Sequence, residues 1–384
     1  MTRRWTPVVG ALVVLAACAA PQRSGPQALS PGTSDLDATP SSSSASGTGE
    51  TAAPTSPPRR RAVTIALAGD VHAEGVLRSR LDDPATAFTG TAFDVLARAD
   101  VAVVNLETAV GTGGEAEPGK RFVFRAPPTV LTALAAAGVD VVSLANNHVL
   151  DFGRGLLTET FGALAEAERG EPPLRAVGVG RDVDEAFRPA LIDVGDTRIA
   201  MLAATTASLD PTADPTGHWA VTASRPGTAD AIRPERLVRA VARARRGADV
   251  VVVYVHWGVQ GESCPTPHQR DLAARLLDAG ADVVAGSHAH RLQGDGPGGD
   301  GGYVAYGLGN FAWYLPSSDG EPTGVLSLRV RPTERGQRAD VLRARWTPAA
   351  IGADGLPRVI GSTGRERFDA QRTRSRDCSD LRTG

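Results

Sequence analysis

Several shortages in this sequence each remove a class of protein. No apolar run reaches the ~20 residues that a membrane-spanning helix needs; the longest near the start, Val8 to Ala17, falls well short. Lysine is almost missing: Lys120 is the only one, and Arg121 follows it, so there is no Gly-Lys-Ser/Thr ending of a phosphate-binding loop. No Gly-x-Ser-x-Gly elbow occurs, which excludes a serine hydrolase of that design. Cysteine is limited to three residues, and Cys264 follows no His-paired pattern, so a cysteine hydrolase is excluded too. There is no excess of basic charge (net −2), and nothing points to nucleic acid. No repeat at solenoid spacing is present.

What is present begins with a leader. Arg3 and Arg4 precede the apolar run, which ends in Leu15-Ala16-Ala17-Cys18. Small residues directly before a cysteine look like a lipobox, with 1–17 removed and Cys18 lipidated. The chain is therefore expected to be exported and lipid-anchored to the outer face of the cell membrane. Residues 18–62 are rich in Ser, Pro, Thr and Ala and almost free of large apolar residues. Such a stretch cannot offset its ordering entropy, so it reads as a disordered tether with a reach of ~35–40 Å. Cys264 and Cys378 remain as an even pair in an oxidising compartment, either bridged or two separate thiols.

From residue 63 the pattern changes. Val63–Ala68, Val101–Val104, Val139–Leu144, Arg198–Ala203, Val250–Val255 and Asp282–Ala285 are short Val-rich runs that read as strands covered on both faces. Helical spacing appears at Thr129–Ala137, Gly155–Glu168, Pro234–Arg245 and His268–Ala279. Gly302–Tyr306 and Val325–Val330 read as further strands. The alternation predicts an α/β fold over 63–345. Residues 346–384 are Arg-rich and read as an irregular, surface-hugging tail.

The polar clusters follow the strands. Asp70 and His72 come after the first, Asn105 and Glu107 after the second, and Asn146, Asn147 and His148 after the third. His256-Trp257 and His288-Ala289-His290 follow two later ones. Five of seven histidines thus lie at strand ends, where open α/β sheets bind ligands. Singly, each has a bland reading: Asp70 as a turn cap, the asparagines as turn formers, His256 as a core histidine. Together they mix imidazole, carboxylate and amide oxygen, which suits Mn, Fe, Zn or Co. Two such ions ~3.5–4 Å apart form a clamp for displacement at phosphorus. Asp70, His72, Glu107, Asn147, His256, His288 and His290 supply the donors, with Glu107 able to bridge. Trp257 reads as a pocket wall, Asn310 as structural, and Glu74 and Gln293 stay outside the metal set.

The runs GDVHAEGVL, NLET, FVFRAP, AAAGVDVVSLANNHVLDFG, VVYVHWG, DLAARLLDAGADVVAGSHAHRLQ and YGLGNF resemble, in the same order, those of the CapA family linked to poly-gamma-glutamate capsule synthesis. That family is similar to the calcineurin-like metallophosphoesterases, so the resemblance implies a four-layer α/β/β/α sandwich and a site for two divalent metal ions. It implies one ion on Asp70, His72 and His290, a second on Asn147, His256 and His288, and Glu107 between them. It casts His148 as the group that protonates a leaving group, with Asp151 orienting its ring. It casts Arg125 as a fork for an anionic substrate, phosphate and carboxylate fitting equally. Two departures stand out: Gln260 replaces a glutamate, and Ser287 replaces a histidine.

Two functions follow from this reading. One is a metal-dependent hydrolase of a phosphoester or of an amide-linked anionic polymer, working with capsule-synthesis machinery. The other is a non-catalytic, metal-bearing module that binds or guides an anionic envelope polymer during export.

Overall fold

Val63–Val71 (β1), Val101–Leu106 (β2), Val141–Ser143 (β3) and Arg175–Val177 (β4) lie side by side and parallel. Ala190–Val194 (β5), Thr197–Thr205 (β6), Val250–Trp257 (β7), Val283–His288 (β8), Asp295–Pro297 (β9) and Tyr303–Ala305 (β10) build a second sheet in the order β9-β10-β8-β7-β6-β5. Its four inner strands are parallel, while β5 and β9 are antiparallel edges. The chain then returns to the first sheet. Asn310–Ala312 (β11) pairs parallel to β1, and Glu321–Arg331 (β12), Asp340–Ile351 (β13) and Pro357–Val359 (β14) add antiparallel strands beside it. These features are those of a computed structural model, which describes residues 60–213, 218–299, 301–315 and 321–381. The leader, Cys18 and nearly all of the 18–62 tether lie outside the described residues.

The continuous apolar runs are explained by what covers each face. In β1, Ala66 and Ala68 belong to the outer apolar layer shared with Thr129–Ala136 (α1) and Gly153–Arg169 (α2), while Ile65 and Leu67 belong to the layer between the sheets. In β7, Val251, Val253 and Val255 pack under Glu235–Gly247 (α3) and Pro267–Asp278 (α4), while Val252 and Tyr254 point inward. Alternate residues of a strand point to opposite faces, so each inner strand must be apolar throughout. Three apolar layers result: helix on sheet, sheet on sheet, and sheet on helix. The fold is therefore an α/β/β/α sandwich of two mixed sheets. Tyr254 ties the sheets together, its hydroxyl donating to Ala68 O at 3.0 Å.

Residues beyond 345 correct the sequence reading. They are no irregular tail: β13 runs through Trp346 to Ile351, and Ser362–Asp377 (α5) follows β14. Phe368 of α5 is 1% exposed and packs on Trp346 with ring centroids 5.4 Å apart, closing one end of the inter-sheet layer. Arg372 pairs with buried Asp295 at 2.6 Å. Cys264 and Cys378 are joined as a disulfide, their α-carbons 5.7 Å apart, so the helix is tied to the segment before α4. Among the described residues no helix is long and apolar enough to cross a membrane.

Candidate metal centre

The carboxyl ends of β1, β2, β7 and β8 meet at one edge of the sandwich, and the strand ends are shaped to aim side chains there. The pairing of β1 shifts register around Asp70, a bulge of the kind that re-aims a side chain. A β-carbon on Gly69 would lie 1.8 Å from Gly309 O. Only glycine allows that approach, which lets Asp70 N donate to Gly309 O at 2.9 Å. Asn105 Nδ2 donates to Asp70 Oδ1 at 2.8 Å, and Asn146 Nδ2 donates to Leu106 O at 2.8 Å. These two amides hold Asp70 and the Asn147-His148 turn in place.

Asp70, His72, Glu107 and His256 are fully buried, as is His288. Glu107 lies at the middle. Its Oε1 is 3.3 Å from His256 Nε2 and 3.7 Å from His148 Nε2, and its Oε2 is 3.5 Å from His72 Nε2. Two groups of potential ligand atoms share it: Asp70, Glu107 and His290 form one, and Glu107, His256 and His288 the other, each spanning no more than 4.8 Å. Asn147 Oδ1 joins the second group, 2.8 Å from His256 Nε2.

The fit to cations rests on atoms without partners. Both ring nitrogens of His72 and both carboxylate oxygens of Glu107 are buried and make no hydrogen bond. Buried polar groups left unmatched are costly, the more so when charged. His288 Nδ1 and His256 Nε2 are 3.0 Å apart, and each ring is supported through its other nitrogen. His288 Nε2 donates to Asp210 Oδ2 at 3.0 Å, and His256 Nδ1 lies 3.1 Å from Ser287 Oγ. Imidazoles held through their far nitrogen, His288 by a carboxylate and His256 by a hydroxyl, and aimed at a common point are what metal ligands require. The donor set therefore fits two borderline divalent cations. His288 is the last residue of β8 and His290 lies beyond it, and both have positive φ, 93° and 54°. This left-handed turn is strained for such residues, and it sends the two rings to different groups.

Electrostatics favour added positive charge. Burial would raise the Glu107 carboxyl, but His256, His290 and His72 outweigh it and hold it well below the usual range. Burial pushes His288 down to about 4, against the pull of Asp210. Burial also opposes protonation of His290, yet Glu107 and Asp70 raise it to about 9.

His148 stands beside the cluster with a support of its own. Its Nδ1 is 2.6 Å from Asp151 Oδ2, which also accepts from Phe124 N at 2.7 Å. Lys120, with its side chain fully covered, donates to Asp151 and to the Asn147 carbonyl oxygen. Burial, then the Lys120 charge, pushes the His148 imidazole well below its usual range. Burial raises Asp151 to about 7 against Lys120. Phe124, Trp313 and Tyr314 wall in His72, with ring centroids 4.4, 4.4 and 5.2 Å from its own.

Arg125 is not brought to the cluster's cleft. Its Nη1 donates to Gly113 O at 2.7 Å, and its guanidinium lies over Phe152. The cleft of about 760 Å3 that opens on His290 is bordered instead by Arg121 and Arg291. Trp257 is core, not wall, its Nε1 donating to Tyr306 O at 2.7 Å. Asn310 orients His290, its Oδ1 2.9 Å from Nδ1. Glu74 accepts from Arg125 N, and Gln293 pairs with Gln269. The sequence reading missed Asp210, Lys120, Arg121 and Arg291.

Residues 64–314 match the family model described as bacterial capsule synthesis protein PGA_cap. The chain belongs to this family. Family relatives include a probable polyglutamine synthesis accessory protein of Mycobacterium tuberculosis, 34% identical over 197 residues, which are 50% of either chain. The capsule biosynthesis protein CapA of Bacillus anthracis is 31% identical over 198 residues, 50% of this chain and 45% of that one. This chain thus spans about half the length of the curated relatives it matches. Among solved structures, a novel phosphatase of Mycoplasma pneumoniae aligns at a TM-score of 0.46 and 11% identity, over 76% of this chain and 94% of that one.

Proposed function

We propose that this capsule-family protein is a two-metal hydrolase acting on an anionic substrate outside the cell. The observation that carries the reading is the pair of buried donor groups sharing Glu107, whose oxygens, like the ring nitrogens of His72, make no hydrogen bond. Asp70, His72, Glu107 and His290 would hold one cation, and Glu107, Asn147, His256 and His288 the other. Two cations so held supply charge that polarises a scissile phosphoester or amide and makes a water more acidic.

The chain's own residues do the rest. Asp151 accepts the Nδ1 proton of His148, which fixes the tautomer and leaves Nε2 facing the reacting group. Nε2, left without a proton by that tautomer, takes one from the attacking water and passes it to the leaving oxygen or nitrogen. Lys120 anchors Asp151 and the Asn147 carbonyl together, so ligand and proton carrier keep one spacing. Arg121 and Arg291, at the mouth of the cleft, meet the negative charge of the incoming substrate. Retention of the whole donor set favours catalysis over a purely binding role. The relatives' names, which speak of capsule, PGA and polyglutamine synthesis, support a role of that kind for the activity, and a lipid on Cys18 would hold the domain at the outer membrane face beside such machinery.

The test is metal content per chain for the wild type, Asp70→Ala, Glu107→Ala and His290→Ala. Turnover of a phosphodiester and of a gamma-linked glutamate oligomer is followed with added manganese. About two metals, lost most fully in Glu107→Ala, and turnover abolished by His148→Ala are expected. Metal without turnover of either substrate would replace this reading with the polymer-guiding module. Absence of metal after reconstitution would overturn the centre itself.

A further inference from the structure

A second cleft, of about 710 Å3, lies at the end of the second sheet against the start of α3, and no residue of the metal cluster lines it. Its walls include Trp219, Asp230, Arg233, Glu235, Arg236 and Arg239. Trp219 is 7% exposed, and its indole N–H is buried without an acceptor. Arg233, Arg236 and Arg239 are exposed, and no described acid lies within ion-pair distance of them.

The row continues beyond the cleft. Arg236, Arg239, Arg243 and Arg246 are all exposed and recur at three- and four-residue spacing, which places them on one face of α3. At 1.5 Å per residue the row is ~15 Å long. Two carboxylates sit among these cations. Glu235 is bonded to Arg275 at 3.2 Å and offsets part of Arg239. Asp230 accepts from Ile232 N at 3.1 Å, and burial raises its carboxyl towards the neutral form. The surplus along the helix stays positive.

The cleft also adjoins the supports of the metal centre. Thr205 lines it, is the register partner of His256, and donates to His256 O at 3.1 Å. The Trp219 ring carries the Lys120 ammonium 4.6 Å from its centroid. A compact anion would need converging donors; a straight row of cations running into a cleft suits a chain with acid groups at short intervals.

We propose that this cleft and the α3 arginine row form a second subsite, which holds an extended, acid-bearing chain beside the metal centre. As a subsite for the substrate it rests on the hydrolase reading; as a binding site it does not. The experiment measures binding to the full chain by tryptophan fluorescence and calorimetry. The probes are gamma-linked glutamate oligomers of increasing length, short polyphosphates, and phosphatidylglycerol vesicles.

Affinity should rise with oligomer length and fall with salt. The Arg236→Glu/Arg239→Glu double variant should bind about tenfold more weakly at low salt. The tighter of the glutamate and phosphate probes identifies the acid group. Metal content is read in the same samples. Length-dependent binding lost in the double variant, in protein without metal, would uphold the cleft and sink the hydrolase. Wild-type binding by the double variant, in protein that holds metal and turns over, would overturn the cleft alone. Binding only to vesicles would overturn it in favour of a membrane surface.

Discussion

Lys120 is covered, charged and placed between the proton carrier and a ligand, so replacing it tests the centre's design. Lys120→Met keeps most of the side-chain volume and removes the ammonium. Asp151, fully buried, then retains only Phe124 N–H at 2.7 Å and His148 Nδ1 at 2.6 Å. Breaking a buried ion pair from one side costs ~3–5 kcal/mol. Asp151 is already raised to about 7 by burial, so it escapes part of that cost by taking up a proton. The expected loss is therefore nearer ~2–3 kcal/mol. Urea unfolding should show it as a lower midpoint at constant slope. Lys120→Met/Asp151→Asn removes both charges and should recover at least ~1 kcal/mol, because what destabilises the single variant is the lone charge. If the centre turns over, the single variant should be ~10–100-fold slower, since His148 loses its fixed setting. A single variant within ~0.5 kcal/mol of wild type, or a double variant no better than the single, would refute the buried relay.

Three further outcomes are expected. Phe368→Ala should cost ~3–5 kcal/mol by calorimetry, a core value that a loose tail could not give. Cys264→Ser/Cys378→Ser opens a loop with a sequence separation of 114 residues; a loop of ~100 residues corresponds to ~4.7 kcal/mol at most in the chain-entropy picture, and thermal unfolding under non-reducing conditions would measure the loss. Burial would raise Asp249, but Arg60 and the Arg198 amide bring it down to about 2. A depressed carboxylate stabilises above its unfolded value near 3.8 and loses that contribution as pH falls through 2. Asp249→Asn should therefore cost ~1 kcal/mol at pH 7, with solvent screening the half-open Arg60, and almost nothing at pH 2.

Much of the sandwich could be read from the chain because strands covered on both faces leave unbroken Val-rich runs, as at Val250–Val255. Most of the centre was legible for a related reason. Donors at strand ends follow directly after those runs, so Asp70, Glu107, His256 and His288 announce themselves by position. Asp210 does not. It is separated from the end of β6 by a short 3-10 turn, so it does not follow a strand directly, and only the folded chain brings it to His288. Lys120 was visible as the single lysine, yet nothing local says that a lysine in a Pro-Gly-Lys-Arg stretch will be covered. The final elements were hidden by composition. β13 shows mostly exposed, Arg-rich positions until Trp346, and α5 buries only Phe368 and Ser375, too few apolar residues to reveal a period. Arg125 shows the opposite failure: a family motif marks the residue, but a short-range bond to Gly113 decides where its fork points.

Asp70 and Glu107 come from the first sheet, and His256 and His288 from the second. A centre assembled this way belongs to neither half, so the spacing of its donors and the docking of the two sheets are one mechanical coordinate. A slip of one residue, ~3.3 Å, would take the carboxylates out of register with the imidazoles. Loading the centre should then act as a rivet, slowing amide exchange deep in the sandwich and not merely at its rim. The coupling runs both ways. A residue such as Tyr254, which laces the sheets together through Ala68, would then tune the affinity for any cation held there without touching it.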